Sequence, residues 1–133
     1  MSDIGAAEEW LDAWTASVND RARAAADLAQ RVSQLTGTAT NRHRSVRVTV
    51  DSTGAVQSIE VDDRIREMTG REIGREIMAA IRSAQANLAG TVAAAVEETV
   101  GSDTETGRAV VDSFATRFPQ PRRSELPEAD RER

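Results

Sequence analysis

The segment SVRVTVDSTGAVQSIEV constrains the fold more than any other part of the chain. Val46, Val48 and Val50 alternate with polar residues, and so do Ile59 and Val61. This period of two predicts two β-strands, each with one apolar face. The DSTG between them supplies an Asp to begin a turn and a Gly for a left-handed backbone position. Because a lone two-stranded hairpin is only marginally stable in water, something else must complete it.

Long helices are predicted on both sides of the hairpin. Over about residues 6–35, apolar residues recur at spacings of three and four, and only Arg21 interrupts an a/d heptad pattern. This pattern indicates either a coiled-coil-like helix or an ordinary amphipathic helix packed on its own sheet. A second apolar stripe follows Thr69 and Glu72, which have the spacing of a capping box, and ends near Gly101.

Composition narrows the classes of function. The chain has 133 residues, no Cys and a single His, so it offers no disulfide, no thiolate ligand and no nucleophile–base pair. We therefore expect no catalytic residues, no metal site and no cofactor. Aromatic residues are few, two Trp and two Phe, and the core must be built from Ala, Val, Ile and Leu. A chain of this kind buries little surface alone, which favours an oligomer.

The sequence shows no targeting or membrane-spanning segment and divides into three parts. The N-terminus lacks the pattern of a signal peptide, and no apolar run approaches the roughly 20 residues needed to span a bilayer, so we expect a cytoplasmic protein without a membrane partner. We divide the chain into a helix–sheet–helix domain at residues 1–101, a short C-terminal helix at 102–118 and a disordered charged tail at 119–133.

Positive charge is concentrated in the middle of an acidic chain. The net charge is −5, all basic residues are Arg, and residues 32–96 hold eight Arg against seven acids. The densest patch is NRHRSVR, with Arg42, Arg44 and Arg47. Arginines in this density can bind phosphates, although charge at a sheet edge can also serve to block edge-to-edge pairing.

A second run of arginines lies before and along the later helix and consists of Arg64, Arg66, Arg71, Arg75 and Arg82. Arg71 and Arg75 lie four residues apart, on one face of that helix, but glutamates are interleaved with them. The run therefore predicts either intrahelical ion pairs or further phosphate contacts. On the first helix, Trp10 and Trp14 also share a face. They are predicted either to pack in the core or a dimer interface, or to form an exposed anchor for a partner protein.

The order of a long helix, a Thr-rich stretch, VRVTVDSTGAVQSIEVDD and a second long helix resembles the YbaB/EbfC family of nucleoid-associated proteins. SVRVTVDSTG, SIEVDD and REIGREIMAAIRSAQ carry the resemblance, which covers roughly residues 8–100. The alanine-rich, lysine-free composition resembles the actinobacterial type. The resemblance implies an α+β fold of helix, three-stranded antiparallel sheet and helix, with a third strand from about residues 36–44.

The resemblance also implies a function. Family members form homodimers through their sheets and bind double-stranded DNA with little sequence preference. We therefore expect a nucleoid-associated homodimer that contacts phosphates through Arg42, Arg44, Arg47, Arg71 and Arg75. The expected dimer-interface residues are Val46, Val48, Val50, Ile59, Val61, Trp14 and Val18. The alternative is a protein-interaction module on the same scaffold, for instance an accessory of a type VII secretion system, without strong DNA binding.

Overall fold

The computed structural model describes residues 2–121, with side chains from residue 4 onward. Its elements are α1 at Ser2–Val32, β1 at Gly37–Thr40, β2 at Val46–Val50, β3 at Val56–Val61, a 3₁₀ helix at Asp63–Glu67, α2 at Gly70–Thr99 and α3 at Glu105–Arg117. The predicted α+β fold of long helix, three-stranded antiparallel sheet and long helix is confirmed. Most of the predicted charged tail, from residue 122, lies outside the described residues.

The three strands form one sheet in the order β1-β2-β3, with both pairs antiparallel. Val46 pairs with Val61 and Val48 pairs with Ile59, so these four side chains share one face of the sheet. Arg47 pairs with Glu60 and therefore lies on the opposite face. The alternation of the sequence thus gives the sheet one apolar and one polar face.

The turn between β2 and β3 is organised by Asp51 and Gly54, as predicted. The Asp51 carboxylate accepts hydrogen bonds from the backbone N–H of Thr53 at 2.8 Å and from its hydroxyl at 2.6 Å. Gly54 has φ of +86°, a left-handed conformation that favours glycine. The Thr53 hydrogen bonds hold the pKa of Asp51 below its ordinary value.

Helix α2 covers β1 and β2 and forms the centre of the core. Leu88, Val92 and Val96 of α2 are fully buried there, together with all three apolar residues of β2. At Gly37, a side chain would collide with the backbone of Ala84 and with Leu88, so only glycine allows β1 to approach α2 this closely. The Asn87 side chain donates to the Thr38 carbonyl oxygen at 2.8 Å and fixes this contact.

The burial of β2 corrects one part of the predicted dimer interface. Val46, Val48 and Val50 are 0% exposed in a single chain because α2 lies directly on them. These three valines therefore belong to the core of one chain and offer no surface to a second copy. On the same face of the sheet, Ile59 and Val61 of β3 remain exposed to solvent.

The ends of α2 follow the sequence signals. Thr69 is the N-cap, and its hydroxyl accepts from the Glu72 N–H at 3.2 Å. At the other end, Gly101 adopts φ of +86° and its N–H bonds back to the Val96 carbonyl oxygen at 2.8 Å. The Ser102 hydroxyl and N–H contact Glu97 and lower the pKa of that carboxyl.

Helix α3 packs against α2 and extends the core. Phe114 is buried in the core, and Phe118 packs beside it with the two rings tilted at 6.1 Å. Phe118 also reaches the β2–β3 turn, where a side chain at Gly54 would collide with its ring. Residues after Gly101 therefore contact both α2 and the β2–β3 turn.

Most of α1 extends beyond the rest of the fold. Leu28 is buried in the core, and Arg31 forms an ion pair with Glu98 of α2. Every side chain from residue 4 to residue 23 is exposed. The first helix is thus packed by its last third, while Ala13, Ala16 and Ser17 line an open cleft with the end of α2 and the start of α3. Within residues 2–121, no helix is both long and apolar enough to cross a membrane.

Candidate nucleic-acid interface

The loop between β1 and β2 is fixed to the protein by one buried side chain, Asn41. Its carboxamide oxygen accepts from the N–H groups of Ser45 at 2.8 Å and Val46 at 3.0 Å. Its amide nitrogen donates to the Ser45 hydroxyl at 2.7 Å and to a Glu76 carboxylate oxygen at 3.2 Å. Because Glu76 belongs to α2, this network sets the position of the loop relative to that helix.

The same network closes a tight turn that presents the loop arginines. The Arg44 N–H bonds to the Asn41 carbonyl oxygen at 3.0 Å, and Arg44 has φ of +57°. A left-handed conformation is unusual for a residue with a side chain, and surrounding hydrogen bonds must hold it in place. Arg42, His43 and Arg44 are thereby exposed on a loop of defined shape.

The short 3₁₀ helix brings a further arginine to this loop. Asp62 caps that helix by accepting from the Arg64 N–H at 2.9 Å. The Arg64 guanidinium then donates to the His43 carbonyl oxygen at 3.0 Å. The chain after β3 therefore folds back across the end of the sheet.

Helix α2 supplies the opposite wall. Arg71, Arg75 and Arg82 are four and seven residues apart, so they project along one side of the helix, and all three are exposed. The two arginine runs, separate in sequence, line one open groove of about 1350 Å³. The residues that line it are Arg42, His43, Arg44, Arg64, Glu67, Met68, Arg71, Glu72, Gly74, Arg75, Glu76, Met78, Ala79 and Arg82.

The arginine groove, as we call this surface, is cationic despite the acidic chain. Six arginines and three glutamates line it, a formal charge of +3 with His43 neutral. Two of the glutamates are engaged locally: the Thr69 hydroxyl donates to Glu72 at 3.1 Å, and Glu76 is buried against Asn41. The start of α2 also lies here, and its backbone dipole adds positive potential.

Four of the five predicted DNA contacts come together in this groove, namely Arg42, Arg44, Arg71 and Arg75. Arg47 does not line it, because strand alternation places its side chain on the outer face of the sheet. The sequence predicts the two runs as separate patches. Arg64 and Arg82 belong to the second run, from which only Arg71 and Arg75 are among the predicted contacts. No sequence signal showed that the 3₁₀ helix would join the runs.

A second surface lies on β3. All six residues of this strand are exposed, although Val56, Ile59 and Val61 are apolar. Ile59 and Val61 share the face on which the β2 valines are buried, but α2 does not reach them. Trp14 and Val18, the other exposed interface candidates, lie apart from β3 on the first helix. Within residues 4–121, no three carboxylate or imidazole groups are placed to hold a metal ion.

The fold and the groove define a helix–sheet–helix protein with a cationic surface at one end of its sheet. The model of the YbaB/EbfC DNA-binding family matches residues 10–103, and the chain belongs to this family. Comparison with curated proteins and comparison with solved structures each found no match. The family match ends before α3 and begins after the first turns of α1.

Proposed function

We propose that the protein is a nucleoid-associated homodimer that binds duplex DNA through arginine–phosphate contacts in the arginine groove. The observation that carries this proposal is the convergence of Arg42, Arg44, Arg71 and Arg75 on one surface of a DNA-binding family scaffold. The guanidinium group binds phosphate with two parallel hydrogen bonds, and such contacts carry no base information. The proposed binding is therefore tolerant of sequence, and it places the protein in the cytoplasm on the nucleoid.

The homodimer is proposed to form through β3. An exposed edge strand with apolar side chains readily pairs with another chain, and proteins normally cover such edges. Ile59 and Val61 continue an apolar face that is otherwise buried, so a second copy placed there would extend the core of each chain. The dimer would present two arginine grooves to one duplex.

A DNA titration at two salt concentrations tests the proposal. With four phosphate contacts per chain and eight per dimer, affinity for a labelled duplex should fall about 10³- to 10⁵-fold between about 50 and about 200 mM salt. Replacing Arg71 and Arg75 by Ala should reduce the salt slope by about 0.9 for each phosphate that is no longer neutralised. Fluorescence anisotropy measures both quantities.

A matched control and two unrelated sequences make this test specific. Arg108→Ala removes an exposed arginine from α3, outside the groove, and should leave the affinity unchanged. Arg47→Ala shows whether the outer face of the sheet contributes. Duplexes of different sequence should bind with similar affinity. The proposal fails if low-salt titration up to about 100 μM shows no binding, or if Arg108→Ala weakens binding as much as the groove variant does.

The second candidate function is a protein-interaction module without strong DNA binding. The exposed Trp10 and Trp14 favour it, because Trp is enriched at the centres of protein interfaces. Recovery of one specific protein partner after nuclease treatment, together with a negative DNA titration, would support this function over the first.

A further inference from the structure

The N-terminal part of α1 carries an apolar stripe that nothing in the described part of the chain covers. Ile4, Leu11, Trp14 and Val18 lie on one side of the helix, with Trp10 beside them. Trp10 is 65% exposed and Trp14 is 56% exposed. We call these five residues the α1 stripe.

The α1 stripe continues a surface that is buried elsewhere on the same helix. With Ile4 at an a position, the heptad runs through the stripe to Leu28 and Val32, which pack in the core. The same helix face is therefore covered by its own chain at one end and bare at the other. Because isolated helices gain most of their stability from packing, a second surface is expected to cover the bare part.

The charge of this part of α1 argues against DNA as the occupant. Residues 2–20 contain five acids and no basic residue, and Arg21 and Arg23 follow immediately. An acidic helix repels phosphate. The first part of the segment, with Asp3, Glu8, Glu9 and Asp12, is negative, and its last part, with Asp20, Arg21 and Arg23, has a net charge of +1.

We propose that the α1 stripe binds the α1 stripe of a second copy in an antiparallel arrangement. In a parallel pair, Arg21 at a d position would face Arg21 of the second copy. The acidic ends of the two helices would also lie side by side. Reversing one helix places the positive end of each copy beside the negative end of the other. When the overlap is centred between residues 12 and 13, Leu11 lies across from Trp14, and Arg21 lies about 6 Å along the axis from the partner's Glu8.

This contact is separate from the proposed β3 interface, so it would join one β3 dimer to another, and it does not depend on DNA binding. It joins chains through a helix that extends beyond the sheet, whereas the β3 contact lies at the sheet edge. Each interface can therefore be broken while the other is kept.

Intrinsic fluorescence of the unmodified protein provides the first test, since both tryptophans of the chain belong to the stripe. Raising the protein concentration should shift the Trp emission to shorter wavelength and protect it from acrylamide quenching. Adding duplex DNA should leave the emission unchanged, because the arginine groove contains no Trp. If the emission remains typical of exposed Trp at all protein concentrations, the proposal is overturned.

Substitution in the stripe provides the second test, measured by sedimentation equilibrium in an Ile59→Glu/Val61→Glu background that removes the β3 contact. The background variant should still form a dimer of about 29 kDa, twice the 14.4 kDa chain. Adding Leu11→Glu and Trp14→Glu should weaken association about thirtyfold or more, as expected for a central Trp. Asn19→Glu adds one negative charge outside the α1 stripe, the same charge as Leu11→Glu alone, and should have no effect. Equal effects of the two kinds of variant overturn the proposal.

Charge exchange tests the antiparallel orientation. Arg21→Glu should weaken association, and Glu8→Arg in the same chain should restore it. The chain contains no Cys, so a single Ile4→Cys variant reports orientation directly. Ile4→Cys should not cross-link to itself, because antiparallel copies hold the two positions about 25 Å apart along the axis. Efficient cross-linking of this variant, or a failure of the charge exchange to restore association, would contradict the arrangement.

Discussion

The arginine groove and the free part of α1 are opposite in nearly every property. The groove is cationic, held by one buried and one exposed hydrogen bond between its parts, and assembled from three chain segments. The α1 segment is acidic, exposed on all sides and continuous in sequence. A net charge of −5 therefore does not describe the surface proposed to bind DNA, because much of the negative charge lies on another part of the molecule.

The largest expected effect is a difference in unfolding free energy between two leucine substitutions on α1. Leu28→Ala should lower the free energy of unfolding by about 3 kcal/mol, because Leu28 is 2% exposed and its removal leaves a cavity in the core. Leu11→Ala, on the same heptad face but 50% exposed, should cost less than about 1 kcal/mol at a protein concentration too low for association. Urea unfolding measures both. Similar decreases would mean that the α1 segment is packed on its own chain.

A charge-reversal pair tests whether DNA recognises the groove or only the net charge. Arg71→Glu/Arg75→Glu should weaken DNA binding about hundredfold, or about 2.7 kcal/mol. Arg108→Glu/Arg117→Glu changes the net charge equally but lies on α3, outside the groove, so it should weaken binding less than about threefold. The stability of the first variant should fall by less than about 1 kcal/mol, because both arginines are exposed and only Arg71 lies in the first turn of α2, where an acid is favourable. Anisotropy titration compares the two, and equal decreases in affinity would show that position does not matter.

Local sequence signals predicted the parts of the fold that local physics controls. The valine alternation gave the hairpin and its apolar face, DSTG gave the turn, and Thr69 and Gly101 gave the limits of α2. In each case the determining contact lies within a few residues of the signal. The fold class followed because these elements occur in a characteristic order.

Tertiary contacts decided what the sequence could not. Nothing near Gly37 signals that Ala84 will lie against it, and the β2 valines could equally have faced a second copy. The groove was divided into two predicted patches because Arg42 and Arg71 are 29 positions apart and interleaved glutamates suggested ion pairs. The burial of Glu76 against Asn41 changes that interpretation, since this glutamate positions the arginine loop.

Asn41 offers the next, smaller test of how the groove is built. Asn41→Asp removes the donor to Ser45 and places a second carboxylate beside Glu76, which should cost about 2 kcal/mol in unfolding free energy. DNA affinity should fall as well, because Arg42 and Arg44 lose their fixed positions. Denaturation and anisotropy on the same preparation separate the two effects. Asn87→Asp, which removes the exposed donor to Thr38 outside the groove, is the control and should leave DNA binding unchanged.

The smallest expected effect is a decrease in thermal stability at acid pH, which arises from two carboxyls outside the groove. The pKa values of Asp51 and Glu97 are lowered, chiefly by the hydroxyls of Thr53 and Ser102. A carboxyl whose pKa is lower in the folded state stabilises the fold above its ordinary value, here 3.8 for Asp51 and 4.5 for Glu97, and loses that contribution as pH falls below it. Thermal unfolding should therefore occur at lower temperature as the pH falls through this range, and Asp51→Asn/Glu97→Gln should flatten the curve. An unchanged curve for the double variant would assign the acid dependence to other carboxylates, with those on the acidic α1 segment the first to be substituted.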